Sequence, residues 1–121
     1  MADLLEQSSA WLDDQRRRFM SRTVVYSRAG DSLEVLATVG RTTGEAADDD
    51  GLIQKWESRD YLILTEDLAA FGLPRAGDRI TEAAGDEMFV YEVMPMPGEP
   101  AWRWSDPYRR TLRIHTKQVG A

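Results

Sequence analysis

Leu4, Leu5, Trp11, Leu12 and Phe19 recur at spacings of seven through residues 3–20, which aligns them on one stripe of an α-helix. Asp3 and Glu6 sit in the first turns and Arg16, Arg17 and Arg18 near the end, the charge order that opposes a helix macrodipole. After residue 21 the period changes to that of a strand. Thr23-Val24-Val25-Tyr26 is β-branched and aromatic, and beyond a turn at residues 29–32, Leu33, Val35, Ala37 and Val39 alternate with more polar neighbours. A β-hairpin is predicted.

Residues 40–51 carry no apolar period of either kind and end in the run Asp48-Asp49-Asp50, so they read as the longest loop. Residues 52–57 and 60–64 read as two strands joined at Ser58-Arg59-Asp60. Thr65 is placed to cap a short helical turn that Gly72 ends. Residues 80–82 and 88–93 re-enter strands, and Pro95, Pro97, Gly98 and Pro100 break the chain before Trp102-Arg103-Trp104. A turn at Ser105-Asp106-Pro107-Tyr108 leads into a last alternating strand at residues 111–117. This succession predicts a mainly β chain: a small β-barrel or sandwich over residues 22–121, an amphipathic helix over residues 1–21, and a long loop. It contains no internal repeat and no linker, so a single domain is expected.

Composition narrows the function. The chain has 121 residues, 42% hydrophobic and 30% charged, which is globular rather than disordered. The net charge of −6 disfavours a surface built to neutralise phosphates. Cysteine is absent, which removes disulfides and thiolate metal sites. No stretch approaches the roughly 20 apolar residues that span a bilayer, and the first residues lack the pattern of a signal peptide, so no membrane partner is expected.

Catalytic chemistry finds little to work with. His115 is the single histidine, and the alternation of residues 112–117 places it on the polar face, exposed or at an edge. Nucleophile-elbow, P-loop and dinucleotide fingerprints are missing. Asp48-Asp49-Asp50-Gly51 suggests calcium, but the following Leu52-Ile53-Gln54-Lys55-Trp56 supplies no ligands in register, so a solvated acidic loop is the better reading. No cofactor or metal is expected, and no enzyme. Trp102 and Trp104 lie on one side of a strand, for core packing or for stacking a ligand. Leu4, Trp11 and Phe19, with Arg16, Arg17 and Arg18, are candidates for a partner interface, since the helix packs either on its own sheet or on another protein.

The segments Phe71-Gly72-Leu73-Pro74-Arg75-Ala76-Gly77-Asp78-Arg79-Ile80, Tyr91-Glu92-Val93-Met94-Pro95, Pro100-Ala101-Trp102-Arg103-Trp104-Ser105-Asp106 and Leu112-Arg113-Ile114-His115-Thr116-Lys117 resemble the small head-to-tail joining proteins of tailed bacteriophages. The resemblance runs from about residue 23 to the end. It implies a virion structural protein of the neck, made in the host cytoplasm. Such a subunit forms a homo-oligomeric ring between the portal or adaptor of the DNA-filled head and the tail, and helps close the head. DNA would pass through the channel without sequence-specific binding. On this reading residues 40–51, with Glu45, Asp48, Asp49 and Asp50, are candidates for the channel wall, where like charge keeps DNA from adhering. The alternatives are a tail-terminating ring protein and a stand-alone β-barrel binding module that uses Trp102 and Trp104. A hydrolase would require His115.

Overall fold

The computed structural model describes residues 6–8, 10, 11 and 21–120. Its strands are β1 (Ser21–Arg28), β2 (Asp31–Ala47), β3 (Ile53–Leu64), β4 (Arg79–Ala84), β5 (Glu87–Val93), β6 (Trp102–Trp104) and β7 (Thr111–Gly120), with a 3₁₀ turn at Thr65–Leu68. Every pairing is antiparallel. β1 pairs with β2, β2 with β3, β3 with β7, β7 with β5, β5 with β4 and β4 with β1, so six strands close into a barrel. β6 lies beside the first half of β7, through Trp102↔Ile114 and Trp104↔Leu112, while β5 takes the second half of the same edge.

Alternation decides what fills the barrel. Val24, Tyr26, Val35, Ala37, Tyr61, Ile63, Ile80, Tyr91, Val93, Leu112 and Ile114 form the buried cluster, and cross-strand partners such as Val24↔Val35 and Tyr61↔Ile114 share the inner face. Leu68, from the 3₁₀ turn, joins them. Removing one of these branched side chains costs about 2–5 kcal/mol, because the emptied space collapses only in part. Trp102 and Trp104 meet edge to face at 5.2 Å and pack partly buried against this core.

Ion pairs replace hydrocarbon at the two ends of the barrel. At one end the buried Glu82 accepts from Arg22 at 3.2 Å and Arg59 at 2.6 Å, and the Arg59 guanidinium lies over the rings of Tyr61 and Tyr91. At the other end Asp78 receives Arg28 in bidentate form at 2.9 and 2.8 Å, the Arg75 amide at 2.9 Å, and the Tyr26 hydroxyl. Such networks satisfy each buried charge with donors of fixed geometry.

Four sequence expectations change. Residues 40–47 are strand rather than loop, because β2 runs on to Ala47 in register with β3, and only residues 48–52 turn. Ser58-Arg59-Asp60 is the middle of β3 rather than a turn, since Ser58 bonds to Asp60 along the strand and Asp60 is tied laterally to Thr42 on β2 and Arg113 on β7. The Thr65 hydroxyl does not cap its own turn. It bonds instead to the carbonyl oxygens of Arg109 and Arg110. His115 is fully buried, because its ring lies between Asp60, at 2.8 Å from Nδ1, and Glu99, 3.8 Å from Nε2. The segment carrying Glu99 is tied along β7 by the His115 amide donating to the Ala101 carbonyl and the His115 carbonyl accepting from the Met94 amide.

Candidate partner interface

β2 and β3 outrun the barrel. β1 covers β2 only as far as Thr38, and β7 covers β3 only from Arg59 onward, so residues 41–47 and 53–58 leave as a two-stranded arm. At about 3.3 Å per residue the arm reaches roughly 20 Å. Among the described residues neither of its outer edges is paired. On one face Gly44 lies under the Trp56 indole, where a Cβ would stand 2.3 Å from the ring. The close approach requires glycine at this position.

The tip is tightly built. Asp48 Oδ1 accepts from the amides of Asp50 at 2.9 Å and Leu52 at 2.8 Å, the Asp48 amide donates to the Leu52 carbonyl, and Gly51 takes φ +79°. This self-bonded aspartate turn uses one carboxylate for structure. It leaves Asp49 and Asp50 exposed and projects Leu52 and Ile53, which are 65% and 68% exposed.

At the arm's base Asp60, fully buried, holds four side chains. Its Oδ1 accepts from Ser58 Oγ at 2.6 Å and His115 Nδ1 at 2.8 Å; its Oδ2 accepts from Arg113 Nε at 2.7 Å and from the Thr42 hydroxyl. Arg113 also donates to the Arg41 carbonyl at 3.1 Å. Burial drives the Asp60 carboxyl upward, yet the hydrogen bonds from Ser58, Thr42, His115 and Arg113 together hold it below the ordinary carboxylate value. The network ties β2, β3 and β7 together where the arm leaves the barrel. It therefore anchors the arm's base to the barrel.

Ser58, His115 and Asp60 share the residue types of a hydrolytic triad but not its geometry. A triad places carboxylate and hydroxyl on opposite ring nitrogens. Here both lie at Nδ1, Ser58 Oγ at 3.2 Å, while Nε2 is buried without a hydrogen bond, 3.8 Å from Glu99. Ser58 thus donates to Asp60 and has no base.

Opposite the arm, the 3₁₀ turn and the turn before β7 enclose a groove of about 460 Å³. Leu64, Ala69 and Leu73 line it with Glu66, Arg109 and Arg110. The Thr65 amide and hydroxyl bind the two turns together at the Arg110 carbonyl. Asp106 accepts from the amides of Tyr108, Arg110 and Thr111 and so holds the intervening Arg109 at φ +59°.

A closed small barrel with a projecting two-stranded arm leaves strand edges unpaired among the described residues, a feature open to pairing with another chain. The model of the phage head-tail joining protein family matches residues 2–121. The chain belongs to this family. It is a structural protein of phages that joins head to tail, and its place of work is the neck of the virion. No curated protein matches it.

Of the joining protein's sequence-derived interface residues, Trp11 is described, helical and 61% exposed. Leu4, Arg16, Arg17, Arg18 and Phe19 lie outside the described residues. Glu45 stands on the arm opposite Lys55, and Asp48, Asp49 and Asp50 form its tip. Sequence reasoning missed the Asp60 network, because no local spacing links residues 42, 58, 60, 113 and 115. It also missed Leu52 and Ile53 as exposed anchors, although an apolar pair directly after Asp50-Gly51 is the signal for an apolar tip.

Proposed function

We propose that this joining protein works as a ring of identical copies in the neck, between the portal or adaptor of the filled head and the tail, and that it helps close the head. The observation that carries this reading is the arm. An isolated two-stranded ribbon is marginally stable in water, and its unpaired edges invite pairing with another chain. A rigid base and a preformed tip make sense where the neighbouring subunit completes the ribbon. Each subunit then presents two different patches, and such heterologous contacts close into a ring when the rotation between neighbours closes. DNA passes through without sequence-specific contact, in keeping with the net charge of −6. The exposed Trp11 supports a docking role for the N-terminal segment on an adjoining neck protein.

Electron microscopy of intact particles tests the proposal. The expected result is a closed ring of this six-stranded barrel between portal and tail. Particles whose neck is built without this chain, or with a single copy of it, refute the ring.

A further inference from the structure

The two ends of β3 carry surfaces that fit each other. At the outer end stand the apolar pair Leu52 and Ile53, flanked by the exposed Asp49 and Asp50. At the inner end lies the groove of about 460 Å³, with apolar walls from Leu64, Ala69 and Leu73 and a rim of Arg109 and Arg110 against Glu66. The lining side chains Arg109, Arg110 and Glu66 sum to one positive charge, where the tip carries three negative ones, two of them on the exposed Asp49 and Asp50. Ile53 and Leu64 are eleven steps apart on one strand, about 36 Å at roughly 3.3 Å per residue, so the tip cannot reach the groove of its own chain.

We infer that the arm tip of one copy seats in the groove of the next copy around the ring, with Leu52 and Ile53 between the apolar walls and Asp49 and Asp50 against Arg109. The inference rests on the ring reading and specifies its contact. Both halves are preorganised, which lowers the ordering cost of association. Asp48 closes the tip, and Asp106 fixes the left-handed Arg109, whose guanidinium lies 6.0 Å from the centre of the Trp104 ring. A tip at one end and a groove at the other make a head-to-tail contact, the kind that generates rings.

Because the chain has no native cysteine, a disulfide reports the contact without background. The full chain carrying both Ile53→Cys and Ala69→Cys is assembled into particles and oxidised. A non-reducing gel should show a ladder of multiples of the chain, with neither single variant giving more than a trace of dimer. Reversing the tip charge with Asp49→Arg and Asp50→Arg should weaken subunit association at least tenfold, and adding Arg109→Glu should recover part of it. An intact ring in which the double-cysteine chain stays unlinked overturns the docking and leaves the ring standing; the acidic tip then faces elsewhere, such as the bore. Dimers from Ile53→Cys alone, or a link to a protein of different mass, also overturn it. If particles contain no ring of this chain, the ring reading fails first and the docking falls with it.

Discussion

Asp60 concentrates the cost and the benefit of a buried charge in one side chain. An ionised carboxylate only accepts hydrogen bonds, and all four of its partners donate: Ser58, His115, Arg113 and Thr42. Asp60→Asn keeps the shape but places an amide N–H₂ against two of those donors and leaves the Arg113 guanidinium without its counter-charge. Breaking a buried pair from one side typically costs about 3–5 kcal/mol. Arg113 keeps some contact with water, with 22% of its side chain exposed, so the lower end, about 3 kcal/mol, is expected here. Urea unfolding should show a lower midpoint with an unchanged slope. A midpoint within error of the parent would mean that the four bonds do not hold the arm's base. A conservative change at the exposed Glu57, 4.0 Å from Arg41 on the arm, is the fitting control, because a solvated pair of this kind contributes little.

At the scale of elements, the arm is where local sequence and final structure part. The barrel strands were legible because one face of each is buried: Leu33, Val35 and Ala37 point inward while the polar Ser32 and Glu34 between them are exposed, and the period follows directly. The arm has no such inside, so Thr42, Thr43, Gly44 and Glu45 follow no apolar rhythm, and their strand character comes from the ladder to β3. The same limit hid the burial of His115, whose covering residues are brought in by the proline-broken segment before β6. The acidic tip was visible as composition, but the groove is not, since it forms from segments more than 30 residues apart. Gly44→Val isolates the arm's own contribution. A Cβ at 2.3 Å from Trp56 forces the indole away, and the arm loses its main internal packing. Hydrogen exchange should then speed up by an order of magnitude or more for amides in residues 41–47 and 53–58, with the barrel amides unchanged. Equal loss of protection in β4 and β5 would show that the arm and barrel unfold as one unit.

For the whole molecule, the polar groups that close the barrel and anchor the arm tune its stability to pH on both sides. Asp60 and Asp78 are each driven up by burial and held below the usual carboxylate range, Asp60 by its four donors and Asp78 by Arg28, Tyr26 and the Arg75 amide. A carboxyl whose folded pKa is depressed contributes stability that is fully present above its unfolded value, near 3.8, and is lost as the pH falls through the lower folded value. On the alkaline side burial raises Tyr61 to about 12 despite the opposing bond from Arg59, and Tyr26 is raised by burial and by its bond to Asp78. A raised phenol is neutral in the fold while the unfolded chain ionises from about pH 10, so that contribution fades as the pH climbs from 10 towards 12. The unfolding free energy, measured by urea titration across pH 2.5 to 11.5, should therefore hold a plateau from about pH 5 to about pH 9 with a falling flank on each side. Asp60→Asn lowers the plateau and flattens the acid flank only, whereas Tyr61→Phe flattens the alkaline flank only. A variant that flattens the wrong flank, or an acid flank unchanged by Asp60→Asn, contradicts this assignment, because each flank then belongs to groups other than the networks at the barrel ends and the arm's base.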